Sequence, residues 1–170
     1  MINKKICMLG SFSVGKTALV RQYVSSIFSD TYLSTVGVKI SKKTITVKDH
    51  ELNLLLWDME GQDNYSLVNM SYLRGAHGLL FVVDGTRGET LTVALKLRVE
   101  SMKILGSAIP SIFIINKTDL EHEWEISEKV LTSLEAKGVV VYKTSAKTGL
   151  NVEKIFVALA EAMVEKKSDQ

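Results

Sequence analysis

The chain has 170 residues, a length that predicts one domain. Its formal net charge of +2 is too small to imply binding to nucleic acid or to an anionic membrane. Hydrophobic residues make up 46% of the sequence, enough for a substantial core, and one proline with eleven glycines argues against disorder. Cys7 is the only cysteine, which excludes an internal disulfide and a cysteine-based metal site, and its apolar neighbours predict a small core residue.

No targeting or anchoring signal stands out in the sequence. The first residues lead directly into a predicted strand, and neither a secretory signal nor an apolar run of about 18 residues is present, so we expect a cytoplasmic protein. Residues 166–170 contain no cysteine for prenylation, and the start is not Met-Gly, so we expect no direct lipid anchor. The alternative is that a longer tail has been trimmed from the sequence.

Residues 10–17 read Gly-Ser-Phe-Ser-Val-Gly-Lys-Thr and fit the phosphate-binding pattern G-x-x-x-x-G-K-[ST]. Two glycines let the backbone wrap closely around a polyphosphate, and the wrapped N–H groups with the next helix N-terminus point partial positive charge at it. Lys16 adds a full charge, and Thr17 offers a hydroxyl to Mg²⁺. A predicted strand at 5–9 and a helical pattern at 17–24 flank this phosphate loop, which makes a chance match in an ordinary turn the weaker alternative.

A polar loop over 25–37 leads into a predicted antiparallel hairpin. Residues 38–47 alternate in polarity, 48–50 form a turn, and 51–57 are strongly apolar. The first hairpin strand and its turn are basic, with Lys39, Lys42, Lys43 and Lys48. We interpret these lysines as protection of an edge strand against aggregation, and an anionic partner is the alternative.

Apolar strands and amphipathic helices alternate through the rest of the chain. The pattern predicts strands at 78–84, 111–116 and 139–142, and helices at 91–105, 124–137 and after Asn151, the predicted cap of the last helix. Such alternation is typical of a mostly parallel sheet covered on both faces. Ligands bind outside the carboxyl ends of these strands, which lie here at Gly10, Asp58, Asp84, Asn116 and Ser145.

Polar motifs at three of those ends suit a nucleotide site. Asp58 can hold Mg²⁺ through water, and Gly61 lets a backbone N–H approach a γ-phosphate. Asp119, in Asn-Lys-Thr-Asp at 116–119, can accept two hydrogen bonds from guanine, whereas adenine lacks both donors and is penalised by a buried carboxylate. In Thr-Ser-Ala-Lys at 144–147 a backbone N–H can meet guanine O6.

With these motifs in order, the chain resembles a small GTPase of the Ras superfamily, and most of all its Rab branch. The likeness covers essentially all 170 residues and rests on 10–17, 35–37, 57–62, 116–119 and 145–147, with 72–78 similar to the Rab run before the fourth strand. It implies one G domain over 1–170. The implied fold is a three-layer α/β P-loop domain with a six-stranded, mostly parallel sheet, one antiparallel edge strand, and about five helices on both faces.

The resemblance also implies individual roles. The nucleotide would contact Ser13, Val14, Gly15, Lys16, Thr17, Ala18, Phe28, Gly61, Asn116, Lys117, Asp119, Ser145, Ala146 and Lys147. Thr17 and Thr35 would ligate Mg²⁺, and Asp58 would hold it through water. Gln62 would orient the attacking water, with Lys16 and Thr35 as further catalytic residues. Phe28 would pack edge-on against the guanine, with a core aromatic as the alternative.

The segments around Thr35 and over 61–73 are expected to be two switch loops that γ-phosphate and Mg²⁺ order. Their apolar residues, with Trp57, could form a surface patch: Tyr32, Leu33, Val36, Val38, Tyr65, Leu67, Val68 and Met70. For Trp57 and Val38 a core position is equally open. The implied partners are GTP and GDP, an exchange factor, an activating protein, and effectors that could also recruit the chain to membranes.

Residues near the expected phosphates depart from the family pattern. Phe12 stands where the family has glycine, serine or another modest residue, and its ring would fill space needed by the transition state or by an activator's arginine, so we predict slow hydrolysis. Glu60 replaces the usual alanine; its carboxylate would be repelled by γ-phosphate and could favour the GDP state, unless it points to solvent. Met59 replaces the usual threonine and is expected only to pack.

The sequence leaves other functions open beside a GTP-hydrolysing switch. Phe12 and Glu60 favour a nucleotide-dependent binding module with little hydrolysis, whereas Gln62 and the complete Mg²⁺ set oppose it. An ATPase or small-molecule kinase with a phosphate loop is a further alternative, and Asp119 argues against it. The chain could also be a piece of a larger multidomain switch.

Overall fold

The computed structural model describes residues 1–29, 37–59, 61 and 70–165. Within these ranges it contains six strands and four α-helices. The strands are β1 (Ile2–Leu9), β2 (Val38–Val47), β3 (His50–Met59), β4 (Gly78–Asp84), β5 (Ser111–Asn116) and β6 (Val141–Lys143). The α-helices are α1 (Lys16–Ser25), α2 (Glu89–Leu105), α3 (Glu128–Ala136) and α4 (Val152–Glu165), and 3₁₀ turns cover Met70–Leu73 and Thr118–Glu123.

The strands form one six-stranded sheet in the order β2-β3-β1-β4-β5-β6. β1 pairs in parallel with both β3 and β4, and the pairs β4–β5 and β5–β6 are also parallel. β2 runs antiparallel to β3 at the edge of the sheet. The predicted mostly parallel sheet with one antiparallel edge strand is therefore confirmed, and the carboxyl ends of the parallel strands share one rim.

Alternate residues of β1 divide between two cores because successive side chains of a strand point to opposite faces. Ile6 and Met8 belong to the core that α1 and α4 cover, and there Tyr23 stacks on Phe156 with ring centroids 4.1 Å apart. Cys7 and Leu9 belong to the core that α2 and α3 cover. Helices thus cover both faces of the sheet, and the predicted three-layer fold is confirmed.

Cys7 is buried as predicted, and its burial raises the pKa of the thiol to about 11. The thiol is therefore neutral near pH 7, as a small apolar core residue should be.

The basic residues of the predicted hairpin have different surroundings. Lys39 and Lys42 are exposed on the edge strand, which fits their predicted protective role. Lys43 instead lies over the Tyr23 ring, 4.0 Å from its centroid. Lys48 pairs with Glu165 at the end of α4. Lys48 and Asp49 both have positive φ, as a two-residue hairpin turn requires, so β3 already begins at His50.

The largest difference at a helix boundary is at the start of α3. The pattern at 124–137 predicts a helix from Trp124, but α3 begins at Glu128 because the Ser127 side chain caps it by accepting from the Val130 N–H. The N–H groups of Glu125 and Ile126 donate to the Gly85 carbonyl at the end of β4 instead. A tertiary contact therefore takes the first residues of the pattern out of the helix.

Two further details near the C-terminus also differ. The strand predicted at 139–142 is observed as the shorter β6, which begins two residues later. Asn151 precedes α4 as predicted, but its side-chain amide donates to the Lys143 carbonyl rather than capping the helix, while its own carbonyl accepts from the Ile155 N–H.

A buried lysine connects the first strand, β1, to the last helix, α4. Lys4 of β1 is only 3% exposed, and its ammonium donates to the Met163 carbonyl of α4 over 3.2 Å. A cation at this place stabilises the carbonyl groups that a helix C-terminus leaves without internal partners. Within the part of the chain that is described, no helix combines the length and apolar character needed to cross a membrane.

Replacing Phe156 by alanine should lower the free energy of unfolding by about 3–5 kcal/mol, because it removes a fully buried ring and its stack on Tyr23. Urea unfolding followed by circular dichroism measures this change. The control is Val99→Ala on the outside of α2, where the residue is 53% exposed and the expected change is within about 0.5 kcal/mol. Equal stability of the two variants would contradict this account of the core.

Candidate nucleotide-binding site

The phosphate loop connects β1 to α1 at the rim formed by the carboxyl ends of the parallel strands. Gly15, just before α1, has φ of 105°, a left-handed conformation that favours glycine, and a Cβ there would lie 2.3 Å from Asn116 Nδ2. Ser13 also has positive φ, 60°, which is uncommon for a residue with a side chain. The loop therefore has a tightly constrained backbone where the sequence predicts a phosphate cradle.

Side chains hold the carbonyl groups of the loop from outside. Lys117 Nζ donates to the Ser13 carbonyl over 3.1 Å, and Asn116 Nδ2 donates to the Val14 carbonyl over 3.0 Å. The C=O and N–H of a trans peptide point in opposite directions, and no cis peptide is present among the described residues. The N–H groups that follow these carbonyls, those of Val14 and Gly15, are therefore turned to the inner side of the loop, as anion binding requires.

Lys16 is 6% exposed, and its ammonium donates to the carbonyls of Gly10 (2.8 Å) and Ser11 (2.9 Å). The buried Lys16 side chain thus connects the end of the loop to its first two residues. An ammonium held there places a full positive charge inside the curve of the loop, which fits the predicted contact with outer phosphates.

The predicted Mg²⁺ residues Thr17 and Asp58 are in direct contact. Thr17 Oγ1 donates to Asp58 Oδ2 over 2.6 Å, and Asp58 is 1% exposed. The described residues contain no group of three or more His, Cys, Asp or Glu side chains suited to a metal. A hydroxyl beside a single carboxylate does fit Mg²⁺, which keeps several waters and takes substrate phosphates as ligands rather than a cage of protein groups.

A cavity of about 250 Å³ lies beside the phosphate loop. It is lined by Gly15, Ala18, Phe28, Asn116, Lys117, Asp119, Leu120, Ala146 and Lys147, of which only Leu120 was not predicted. Phe28 packs against the α1 and α4 core and also lines the cavity, while its predicted contact with guanine stays a prediction. The cavity suits a planar base with one carboxylate to read it.

Hydrogen bonds hold the polar groups around the cavity. Asp119 Oδ1 accepts from the Ser145 hydroxyl over 2.8 Å. Asn116 Oδ1 accepts from the Thr144 hydroxyl (3.0 Å) and from the Ala146 N–H (3.2 Å). Ser145, predicted to contact nucleotide, therefore supports Asp119, and the Ala146 N–H, predicted to meet guanine O6, lies next to the Asn116 amide.

Gly61 lies against the phosphate loop at Phe12. A Cβ on Gly61 would come within 2.5 Å of the Phe12 Cα, so only glycine allows this approach. Phe12 itself is 41% exposed. The backbone around Gly61 thus contacts the loop at the residue that departs from the family pattern.

The remaining predicted site residues, Thr35 and Gln62, lie outside the described residues. The same holds for Glu60 and for most of the predicted patch, namely Tyr32, Leu33, Val36, Tyr65, Leu67 and Val68. Their predicted roles stay predictions.

The sequence reasoning missed two charged residues that support the loop from the end of β4. Asp84 has a buried carboxylate, with Oδ2 at 2.7 Å from Lys117 Nζ. Arg87 donates from Nη1 to the Phe12 carbonyl over 2.9 Å. Asp84 was identified only as the end of a strand, and Arg87, in the turn before α2, has no pattern around it that could have shown its contact.

Comparison with known proteins agrees with this geometry. The family model described as Ras family matches residues 5–165. The chain is 31% identical to Ras-related protein Rab-1D of Dictyostelium discoideum, an alignment that covers 97% of this chain and 81% of the relative. It is 30% identical to Ras-related protein RABD1 of Arabidopsis thaliana, over 98% of this chain and 82% of the relative.

A third relative, GTP-binding protein YPTM1 of Zea mays, is 29% identical over 96% of this chain and 79% of its own length. The matched residues include the phosphate loop, the Asp58 end of β3, and the motifs at 116–119 and 145–147. The chain therefore belongs to the Ras family, as a small GTPase of the Rab branch.

Proposed function

We propose that this rim of the sheet binds GTP and GDP with Mg²⁺, that the chain hydrolyses GTP slowly, and that the nucleotide state controls the binding of effectors to two switch loops. Membership of the Ras family supports the general function, that of a GTP-binding switch. The residue roles, the rate and the partners are the proposed part.

The observation that carries the proposal is that the base-reading motif holds the phosphate loop. Asn116 and Lys117 line the cavity beside Asp119 and also donate to the carbonyls of Val14 and Ser13, so this cavity adjoins the phosphate loop. A ligand that fills both needs a base and a polyphosphate. Asp119 selects guanine over adenine, because the carboxylate needs two N–H donors from the base.

Each residue then has a defined task. The N–H groups at 13–16 and the Lys16 ammonium would bind the β- and γ-phosphates. Thr17 and Thr35 would ligate Mg²⁺, and Asp58 would hold it through water. Mg²⁺ would neutralise charge that develops on the phosphate oxygens. The Gly61 N–H positions the γ-phosphate, and Gln62 orients the water that attacks it. Lys147 packs on the base, whose O6 accepts from the Ala146 N–H.

The proposed effector surface has a described part on β2 and β3. Trp57 is half-buried and lies opposite Ile40, which is 51% exposed. Lys5 Nζ lies 3.6 Å from the centroid of the Trp57 ring, and Tyr72 packs beside it at 6.2 Å. We infer that effectors, the exchange factor and the activating protein bind next to this cluster. Recruitment from the cytoplasm to membranes through such partners stays a prediction.

A second candidate is a binding module with little hydrolysis. Phe12 is exposed and its backbone lies against Gly61, and a bulky ring at this position would obstruct the space that a transition state or an activator's arginine needs. The hydrolysis rate separates the two candidates.

Nucleotide identification tests the proposal directly. We expect the purified chain to retain guanine nucleotide in Mg²⁺, to release it on chelation of the metal, and to show GDP or GTP by ion-exchange chromatography after denaturation. A chain that binds neither guanosine diphosphate nor triphosphate would overturn the proposed function.

Asp119→Asn should reduce GTP affinity by about 100-fold or more and increase affinity for xanthosine triphosphate, because an amide suits the O2 of xanthine but cannot accept both guanine N–H bonds. Competition against fluorescent GDP measures both affinities. Glu123→Gln is the matched control, since it removes a largely exposed carboxylate from the same 3₁₀ turn. Unchanged GTP affinity in Asp119→Asn would reopen the ATPase alternative.

Single-turnover hydrolysis should be slow in the native chain, slower still in Gln62→Leu, and about three- to tenfold faster in Phe12→Ser, which frees the space at the loop. Ile27→Ser, which also removes a largely exposed apolar side chain, should leave the rate unchanged. Equal rates for the native chain and Gln62→Leu would favour the binding module, and a Phe12→Ser rate no higher than the native one would rule out obstruction by the ring.

A further inference from the structure

We propose that Arg87 is a positioning residue of the phosphate loop. Its guanidinium fixes the Phe12–Ser13 peptide so that the Ser13 N–H faces the β-phosphate. The inference rests on the proposed guanine nucleotide site and adds to it a residue that lies outside all the motifs of the sequence.

The contact acts on one peptide unit. Arg87 Nη1 donates to the Phe12 carbonyl over 2.9 Å, and the N–H of the same trans peptide belongs to Ser13. Because C=O and N–H point in opposite directions across a trans peptide, a carbonyl held toward Arg87 turns the Ser13 N–H toward the inner side of the loop. A cationic donor also draws electron density from the carbonyl, which makes the N–H a better donor to an anion.

Arg87 completes a series along the loop. The carbonyls of Phe12, Ser13 and Val14 accept in turn from Arg87, Lys117 and Asn116. Three consecutive peptides are therefore held from outside, and their N–H groups belong to Ser13, Val14 and Gly15. Lys117 and Asn116 come from the base-reading motif, whereas Arg87 comes from the turn between β4 and α2.

These contacts stabilise the left-handed backbone conformation of Ser13. A residue with a side chain seldom adopts φ of 60°, and such a conformation persists only when its surroundings determine it from several directions. Arg87 binds the Phe12 carbonyl, in the peptide before Ser13, and Lys117 binds the Ser13 carbonyl, in the peptide after it. Removing Arg87 leaves the peptide before Ser13 free to rotate away from the conformation that binds phosphate.

Arg87 is itself held in place. Its backbone N–H donates to the Asp84 carbonyl, and its carbonyl accepts from the Thr90 hydroxyl over 2.7 Å. Its Nε donates to Glu89 over 3.2 Å. The side chain is 33% exposed, so solvent weakens the contact and the expected effect is moderate rather than complete loss of binding.

The first test measures release of GDP labelled with a fluorescent N-methylanthraniloyl group, in Mg²⁺ and with excess unlabelled GDP. Arg87→Met keeps the length of the side chain but has no donor, and release should be about 5- to 20-fold faster than in the native chain. Arg87→Lys, which can still donate one bond, should give an intermediate rate. Lys103→Met removes the same charge from the far end of α2 and should stay within twofold of native.

The second test separates a local effect on the phosphate loop from a general loosening of the site. GMP lacks the β-phosphate that the Ser13 N–H would bind. Competition against the labelled GDP should show that Arg87→Met loses about 5- to 20-fold in GDP affinity but less than twofold in GMP affinity. Equal losses for both nucleotides would overturn the positioning role.

The outcomes distinguish this inference from the proposed function. If the native chain takes up no labelled GDP, the proposed function fails and this inference fails with it. If the native chain binds labelled GDP but Arg87→Met releases it at the rate of Lys103→Met, the proposed function stands and the role of Arg87 is overturned. If Arg87→Met does not fold, a native rate in Arg87→Lys overturns the proposal and a faster rate supports it.

Discussion

The proposed nucleotide site depends on one buried amide, that of Asn116. Its Nδ2 donates to the Val14 carbonyl, and its Oδ1 accepts from Thr144 and Ala146, so one side chain joins the phosphate loop to the segment after β6. The residue is 2% exposed, and each of these contacts would leave a buried polar group without a partner if it were lost. Gly15 allows the amide this position, because a Cβ would collide with it. The proposed base-reading segment and the phosphate loop therefore share one structural support.

The parallel sheet explains why these distant segments meet. Asp84 pairs with Asn116 in the register of β4 and β5, so the two strands end side by side. The residues that follow the strands then face each other across the rim, which brings Lys117 to Asp84 and the turn after β4 to the phosphate loop. The mostly apolar strands are buried between the two helical layers, and the polar residues at their ends lie around the proposed site.

The patterns that predict the fold are those in which local sequence and burial agree. The continuous apolar runs of β4 and β5 predict these strands to the residue, whereas the glycines of the phosphate loop did not predict the left-handed conformation of Ser13. The start of α3 could not be predicted in this way, since a contact of Glu125 and Ile126 with Gly85 competes with the helical pattern. Arg87 was missed for a related reason, because its partner lies 75 residues away and no periodicity marks a side chain that bonds to a distant carbonyl.

The contact of Lys4 with Met163 has a consequence for chain connectivity. The start of β1 and the end of α4 lie within reach of the Lys4 side chain. Because this is the start of a parallel strand, it lies at the rim opposite the proposed nucleotide site. The turn at 106–108, between α2 and β5, is exposed and precedes a parallel strand, so it lies on that same opposite rim. A circular permutant that joins residue 165 to residue 2 through a short linker and opens between 106 and 107 would keep every strand neighbour and every phosphate-loop contact. The order in which the strands are synthesised would change, while the site they build would not.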